Sequence, residues 1–146
     1  MAPPDGAMLA GVNERPVAAN LLKTTPELRL LAGRNRASGK LVFPPPGDEE
    51  AFETVELPNR GTLWSYTVQR FPPKSPPYRG AEPFAAFAVG YVELPGALIV
   101  ESRLVDVPFE SLRVGLPMEL TTFALRTDEH GRVMMFAFRP QPGALS

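Results

Sequence analysis

Three strand-like segments between residues 61 and 104 constrain the fold more than any other part of the chain. Apolar and polar residues alternate over residues 63–68, which predicts a β-strand. Strict alternation would place Leu63, Ser65 and Thr67 on one face and Trp64, Tyr66 and Val68 on the other. Residues 84–94 are rich in aromatic and β-branched side chains, and residues 97–104 resume the apolar pattern. Pro95-Gly96 separates the two segments, which predicts a β-hairpin.

The remaining strand signals predict a mainly β chain. Residues 53–57 are predicted as the first strand of a barrel, and residues 119–126 and 133–138 as its last two strands, with Phe136 and Phe138 on one face. Pro108 is placed to begin one helical turn, and Gly115 to act as a pivot. With glycine or proline at each reversal, a five- to six-stranded antiparallel barrel fits best, because closure removes exposed edges; the OB-fold is the leading candidate.

The segment before the barrel predicts three regions. Residues 1–20 lack periodicity and are expected to form a flexible arm. Residues 21–33 suit either a short helix or a strand, and three prolines at residues 44–46 suit a stiff connector. The predicted organisation is an arm at residues 1–20, a knuckle and connector at 21–46, and a barrel at 47–146.

Composition narrows the function classes. The chain has 146 residues, 44% of them hydrophobic, and a formal net charge of −1. This charge gives no reason to expect general nucleic-acid binding or attachment to an anionic membrane. No apolar run approaches the roughly 20 residues that span a bilayer, and residues 1–20 do not resemble a secretory signal, so we expect a cytoplasmic protein.

Cysteine and histidine usage limits the chemistry. The chain has no cysteine, which excludes disulfides, thiolate zinc sites and cysteine nucleophiles. The single histidine, His130, lies in Asp128-Glu129-His130-Gly131, where a polar turn between two strands is favoured over a catalytic base or metal ligand. Neither Glu82 with Glu93 nor Asp128 with Glu129 is placed in a pocket by any pattern.

Several motifs in order resemble the DUF35 family, whose members combine a rubredoxin-like zinc ribbon with an OB-fold. The matching segments are residues 30–45, 61–68, 77–78, 90–94, 113–118 and 138–140. The family usually carries a Cys-x-x-Cys-Gly knuckle, whereas Asn35 and Ser38 stand at those cysteine positions here. The region that normally carries the second cysteine pair shrinks here to residues 47–50, Gly-Asp-Glu-Glu. The resemblance therefore predicts a degenerate, metal-free ribbon without zinc.

The resemblance implies a noncatalytic accessory subunit that assists acyl-CoA binding in lipid, steroid or aromatic acid degradation. The implied partner is a thiolase-like or lipid-transfer-protein-like subunit of a thiolase or acyl-CoA aldolase complex, or alternatively a MaoC-type enoyl-CoA hydratase. Acyl-CoA is then a possible ligand, with no covalently bound cofactor and no membrane. We expect the arm and the loop at residues 72–83 near the interface.

A basic, aromatic loop is the candidate ligand contact. Arg70, Lys74 and Arg79 are predicted to meet coenzyme A phosphates, and Trp64, Phe71 and Tyr78 to stack on adenine or line an acyl groove. The alternative is a solvated loop without a ligand. For Trp64, Phe84, Phe87 and Tyr91 individually, a position in the core is favoured over a ligand or interface contact. A second basic cluster, Arg34, Arg36 and Lys40, suits a phosphate or partner contact or simple surface charge.

Two other function classes fit the sequence less well than the accessory subunit. An independent hydrolase or hydratase finds no support in a chain without cysteine or a Gly-x-Ser-x-Gly elbow. A binder of single-stranded nucleic acid needs a basic groove with interleaved aromatics, which Trp64, Tyr66 and Arg70 offer only in part.

Overall fold

The computed structural model describes residues 14–16, 21–71 and 85–145. Strands in the described ranges form two sheets. Their bounds are β1 Glu14–Pro16, β2 Leu22–Lys23, β3 Arg29–Asn35, β4 Leu41–Val42, β5 Phe52–Glu56, β6 Arg60–Gln69, β7 Phe87–Glu93, β8 Ile99–Leu104, β9 Pro117–Asp128 and β10 Gly131–Pro140. No helical segment in these ranges has the length and apolarity that a bilayer crossing requires.

The six-stranded sheet contains β1 and β6 to β10. Its strands β6 to β10 close into a five-stranded barrel, which confirms the predicted OB-fold. β6, β7 and β8 form an antiparallel meander, and β9 pairs with both β6 and β10. The ring closes through a parallel pairing of β10 with β8 at Ala137 and Phe138. One of the five pairings is thus parallel, because the chain crosses over after β8 and returns through the β9–β10 hairpin.

The predicted reversals are confirmed. Phe109–Ser111 forms a single 3-10 turn that begins after Pro108. The His130 segment is the β9–β10 turn, where Asp128 Oδ1 accepts the His130 N–H at 2.8 Å. Gly131 has a φ of 115°, and Gly115 a φ of 95°, both in the region that side chains disfavour.

The N-terminal part of the chain, where β2, β3, β4 and β5 form the four-stranded N-terminal sheet, corrects three expectations. β5, predicted as the first barrel strand, instead pairs with β3 alongside β2 and β4. The ambiguous segment 21–33 contributes the strands β2 and β3, so the helix alternative is wrong there. Glu14–Pro16, assigned to a flexible arm, pairs in parallel with β10, while the rest of that arm lies outside the described residues. This sheet has residues on both sides of Pro46, and the predicted domain boundaries stay a prediction.

A β-bulge in β6 changes which of its side chains face the interior. Leu63 lies opposite Val92, but Ser65 lies opposite Tyr91, so Trp64 is an extra residue on this strand. The strict alternation predicted for residues 63–68 is therefore wrong at this point. Leu63 is fully buried, whereas Trp64 is 56% exposed.

One apolar core joins the two sheets. Leu30 and Ala32 of β3 are fully buried in the same cluster as the barrel side chains Leu63 and Phe138. Phe136 shares the buried face with Phe138, as predicted from their spacing. Its ring meets the Phe43 ring edge-on, with centroids 5.6 Å apart. The N-terminal sheet thus covers one side of the barrel.

Replacing Gly90 by alanine is expected to destabilise the barrel. A Cβ at Gly90 would lie 2.6 Å from the Ser65 carbonyl oxygen and 2.9 Å from side-chain carbons of Leu63 and Leu104. Overpacking of this kind typically costs about 1–3 kcal/mol of unfolding free energy. Gly47→Ala is the matched control, because nothing lies within 4 Å of its added Cβ. Equal urea midpoints for the two variants would contradict the tight β6–β7 contact.

Candidate functional site

An open groove of about 440 Å³ lies along β6 and β7 and reaches Glu101 of β8. We call it the aromatic groove. Both polar and apolar groups line it, and the main side chains are Tyr66, Phe71, Phe87, Val89, Tyr91 and Glu101. Phe87, Val89 and Tyr91 alternate along β7, so they share its outer face. Buried Ala88 and Val92 occupy the inner face of the same strand.

Trp64 and Tyr91 form an exposed aromatic pair beside the groove. Their ring centroids are 6.4 Å apart and the planes meet at 88°, an edge-to-face arrangement. Tyr91 is 43% exposed. The expectation that each of these two residues packs in the core is therefore wrong. Trp64 is exposed because of the bulge in β6, and Tyr91 is exposed because it lies on the outer face of β7.

Arg103 stiffens the neighbouring part of the face. Its guanidinium carbon lies 3.8 Å from the Phe87 ring centroid and 4.7 Å from the Phe123 ring centroid. Each contact is a cation–π interaction. A second cleft of about 270 Å³ beside Arg103 shares Val89 and Glu101 with the aromatic groove. The outer face therefore continues from β7 across β8 toward β9.

The structure places two of the five predicted acyl-CoA contacts. Arg70 is exposed, and its guanidinium lies over the Phe109 ring at 5.5 Å. Trp64 is six residues earlier, which corresponds to roughly 20 Å of extended strand. Lys74, Tyr78 and Arg79, like the rest of the predicted interface loop, lie outside the described residues. A shared acyl-CoA site formed by these five residues remains a prediction.

Among the described residues, the acid–base candidates at the β9–β10 turn are exposed to solvent, while Glu82 of the Glu82 and Glu93 pair lies outside the described residues. The Glu129 carboxylate lies 3.3 Å from His130 Nε2, with the two side chains 83% and 72% exposed. A polar cleft of about 360 Å³ near the N-terminal sheet is lined in part by Glu27, Asn59 and Glu119. Glu119 accepts a hydrogen bond from Arg139 Nε at 2.9 Å. Hydrogen bonds from Asn59 and Arg29 lower the pKa of Glu27.

The sequence contained a signal for the groove that the strand prediction did not use. Phe87, Val89 and Tyr91 recur at period two, and the intervening positions are the small or apolar Ala88, Gly90 and Val92. A strand with apolar residues on both faces has one face inside the barrel and one face on the outside. Which face is which depends on strand closure, and closure is not visible in a local pattern.

The closed five-stranded barrel identifies this part of the chain as an OB-fold domain. A family model described as the C-terminal OB-fold domain of ChsH2 matches residues 54–123. A DUF35 domain-containing scaffold protein of Pyrococcus furiosus is 28% identical over 119 residues, which cover 77% of this chain and 83% of that protein. The chain is therefore similar to DUF35 proteins over most of its length.

A solved structure gives the same assignment. The Ltp2-ChsH2(DUF35) aldolase contains a chain that is 26% identical to this one, with a TM-score of 0.56. The similarity covers 77% of this chain and 84% of the solved chain. The expected DUF35 resemblance is thereby confirmed by the sequence and by the fold.

Proposed function

We propose that the chain is an accessory subunit of a thiolase-superfamily complex, either a thiolase or an acyl-CoA aldolase, and assists acyl-CoA binding there. Two similarities support this role: one relative is a scaffold protein, and the solved relative is part of an aldolase with Ltp2. The partner is then a thiolase-like or lipid-transfer-protein-like subunit, and degradation of lipids, steroids or aromatic acids is the expected setting. A cytoplasmic location is part of the proposal.

The exposed aromatic groove is the observation that carries the ligand part of the proposal. Its volume of about 440 Å³ falls within the several hundred Å³ typical of small-molecule sites. Trp64 and Tyr91 offer large apolar surfaces that suit an acyl chain or an adenine ring. The groove is open, so a second subunit is needed to enclose a ligand in it.

The distance between Trp64 and Arg70 suits a long ligand. Roughly 20 Å of strand separates an aromatic pair at one end from a cation at the other. Acyl-CoA combines an adenine ring, phosphates and an acyl thioester in one extended molecule. In the proposal Arg70 meets a phosphate, and Lys74, Tyr78 and Arg79 add contacts from the following loop.

The partner subunit then carries out the chemical step. Groups of three or more His, Cys, Asp or Glu that could hold a metal ion do not occur in the described part of the chain. Glu129 and His130 protrude from a hairpin turn into solvent. The barrel therefore binds and positions, and the partner supplies the nucleophile or base.

Purification of the tagged chain from its native cells tests the partner assignment. We expect a thiolase-superfamily subunit to co-purify in a fixed stoichiometry, identified by mass spectrometry and by the mass of the eluted complex. A chain that elutes as a monomer without such a subunit would contradict the proposal. Recovery of a MaoC-type hydratase instead would favour the alternative partner.

Two further assays separate the remaining classes. The chain alone is expected to leave acyl-CoA thioesters unchanged, so turnover without a partner would favour an independent hydrolase. Single-stranded DNA is expected to bind weakly if at all. Tight binding that falls steeply with added salt would favour a nucleic-acid role, because phosphate contacts release counterions.

A further inference from the structure

Two turns in the N-terminal sheet have the same hydrogen-bond pattern. In the first turn, Asn35 Oδ1 accepts the N–H groups of Ala37 and Ser38, both at 2.9 Å. The Gly39 N–H donates to the Asn35 carbonyl at 2.7 Å. The side chain of the first turn residue thus binds the amides two and three positions later, and its carbonyl binds the amide four positions later.

The second turn repeats these offsets from Asp48. Asp48 Oδ1 accepts the N–H groups of Glu50 and Ala51 at 3.0 and 3.2 Å. The Phe52 N–H donates to the Asp48 carbonyl at 3.0 Å. By these offsets, Asp48 is the counterpart of Asn35, and Ala51 is the counterpart of Ser38.

Arg36 joins the two turns. Its backbone N–H donates to the Ala51 carbonyl at 2.9 Å. Its guanidinium donates from Nε and Nη2 to the Glu49 carbonyl at 3.3 and 3.2 Å. One residue of the first turn therefore makes three hydrogen bonds to the second turn.

The residues at the four equivalent positions do not fit zinc. The DUF35 resemblance implies a metal held by two cysteine pairs, with Asn35 and Ser38 in place of the first pair. Structural zinc is held mainly by thiolates and imidazoles. Asn35 and Asp48 each already accept hydrogen bonds from two backbone amides through a side-chain oxygen. The side chain of Ala51 has no atom that could bind a metal.

We infer that this chain keeps the paired turns of a metal ribbon with the metal replaced by internal hydrogen bonds. The Oδ1 atoms of Asn35 and Asp48 accept hydrogen bonds from backbone N–H groups, and Arg36 links the two turns. The backbone positions that a four-thiolate metal site requires are then residues 35, 38, 48 and 51. Those positions are retained without their ligands.

A gain-of-function variant tests the retained positions. Asn35→Cys, Ser38→Cys, Asp48→Cys and Ala51→Cys together are expected to bind one Co²⁺ per chain, with the thiolate-to-metal absorption of a tetrahedral site. The matched control carries the first two substitutions with Glu49→Cys and Glu50→Cys, so that four thiols are present at shifted positions. We expect its Co²⁺ affinity to be at least tenfold lower. Equal affinities would overturn the inference.

Substitution of Arg36 tests the link itself. Arg36→Met is expected to lower the melting temperature by about 3–8 °C, because two hydrogen bonds from a charged donor are lost. Arg34→Met is the control, since the structure gives Arg34 one long hydrogen bond of 3.4 Å to the Gly39 carbonyl. Addition of a chelator to the unmodified chain is expected to leave its melting temperature unchanged.

Three results would count against the inference that hydrogen bonds, including those of Arg36, replace the metal. They are a chelator-induced drop in the melting temperature, equal effects of the two arginine substitutions, and an unchanged Arg36→Met variant. If Arg36→Met fails to fold, Arg36→Lys keeps the backbone bond to Ala51 and removes only the forked contact. In that variant we expect faster hydrogen exchange at the Glu50 and Ala51 amides, and unchanged exchange would overturn the link.

Discussion

Replacing Trp64 by alanine is expected to weaken acyl-CoA binding by the assembled complex about 5- to 150-fold. An aromatic side chain that stacks on a base contributes about 1–3 kcal/mol, and each 1.4 kcal/mol corresponds to tenfold in affinity. Trp64 is 56% exposed, so its removal leaves the barrel interior unchanged. Calorimetric titration of the wild-type and variant complexes with the same acyl-CoA measures the difference.

Leu145, near the C-terminus, provides a control for the Trp64→Ala substitution. Leu145 is 44% exposed and lies outside the aromatic groove, and Leu145→Ala is expected to keep the wild-type affinity. Wild-type affinity in the Trp64→Ala complex would contradict the role of Trp64 as a ligand contact. Loss of the partner subunit from that variant would reassign the aromatic pair to the subunit interface.

Replacing Phe138 by alanine is expected to cost about 3–5 kcal/mol of unfolding free energy. Phe138 is fully buried and pairs with Leu104 of β8 and Leu120 of β9. Its carbonyl also accepts the Val105 N–H at 3.0 Å. The side chain thus fills the interior at the seam where β10 closes the barrel, and a cavity there is flanked by three strands.

Urea unfolding followed by circular dichroism measures the effect of this substitution. Phe71→Ala is the control, because Phe71 is 81% exposed and its loss is expected to change stability by less than about 0.5 kcal/mol. If Phe138→Ala is too unstable to purify, Phe138→Leu is expected to show a smaller loss in the same direction. A Phe138 variant as stable as the Phe71 variant would mean that the seam is loosely packed.

The barrel strands were predictable because each carries its own local signal. Alternation identified β6, β9 and β10, and Pro95-Gly96 identified the turn between β7 and β8. β5 was identified as a strand but assigned to the wrong sheet. A five-residue alternation specifies which residues share a face, but it contains no information on which edge the strand will pair with.

The candidate site was less predictable than the fold. The sequence identified Trp64 as a ligand candidate, yet it did not show the bulge that places this residue outside. A bulge depends on the pairing of two strands, so no pattern within β6 reveals it. Arg36 was assigned to a basic surface cluster, whereas its contacts with Glu49 and Ala51 come from a turn 13 or more residues away.

The bulge at Trp64 separates two sets of constraints along one strand. Because it adds a residue, the consecutive positions Trp64 and Ser65 lie on the outer side of β6, while buried Leu63 precedes them. Substitutions at those two positions can alter what the barrel recognises without disturbing the packing beneath. A chain built in this way can change its ligand or its partner over generations while its folding determinants stay the same.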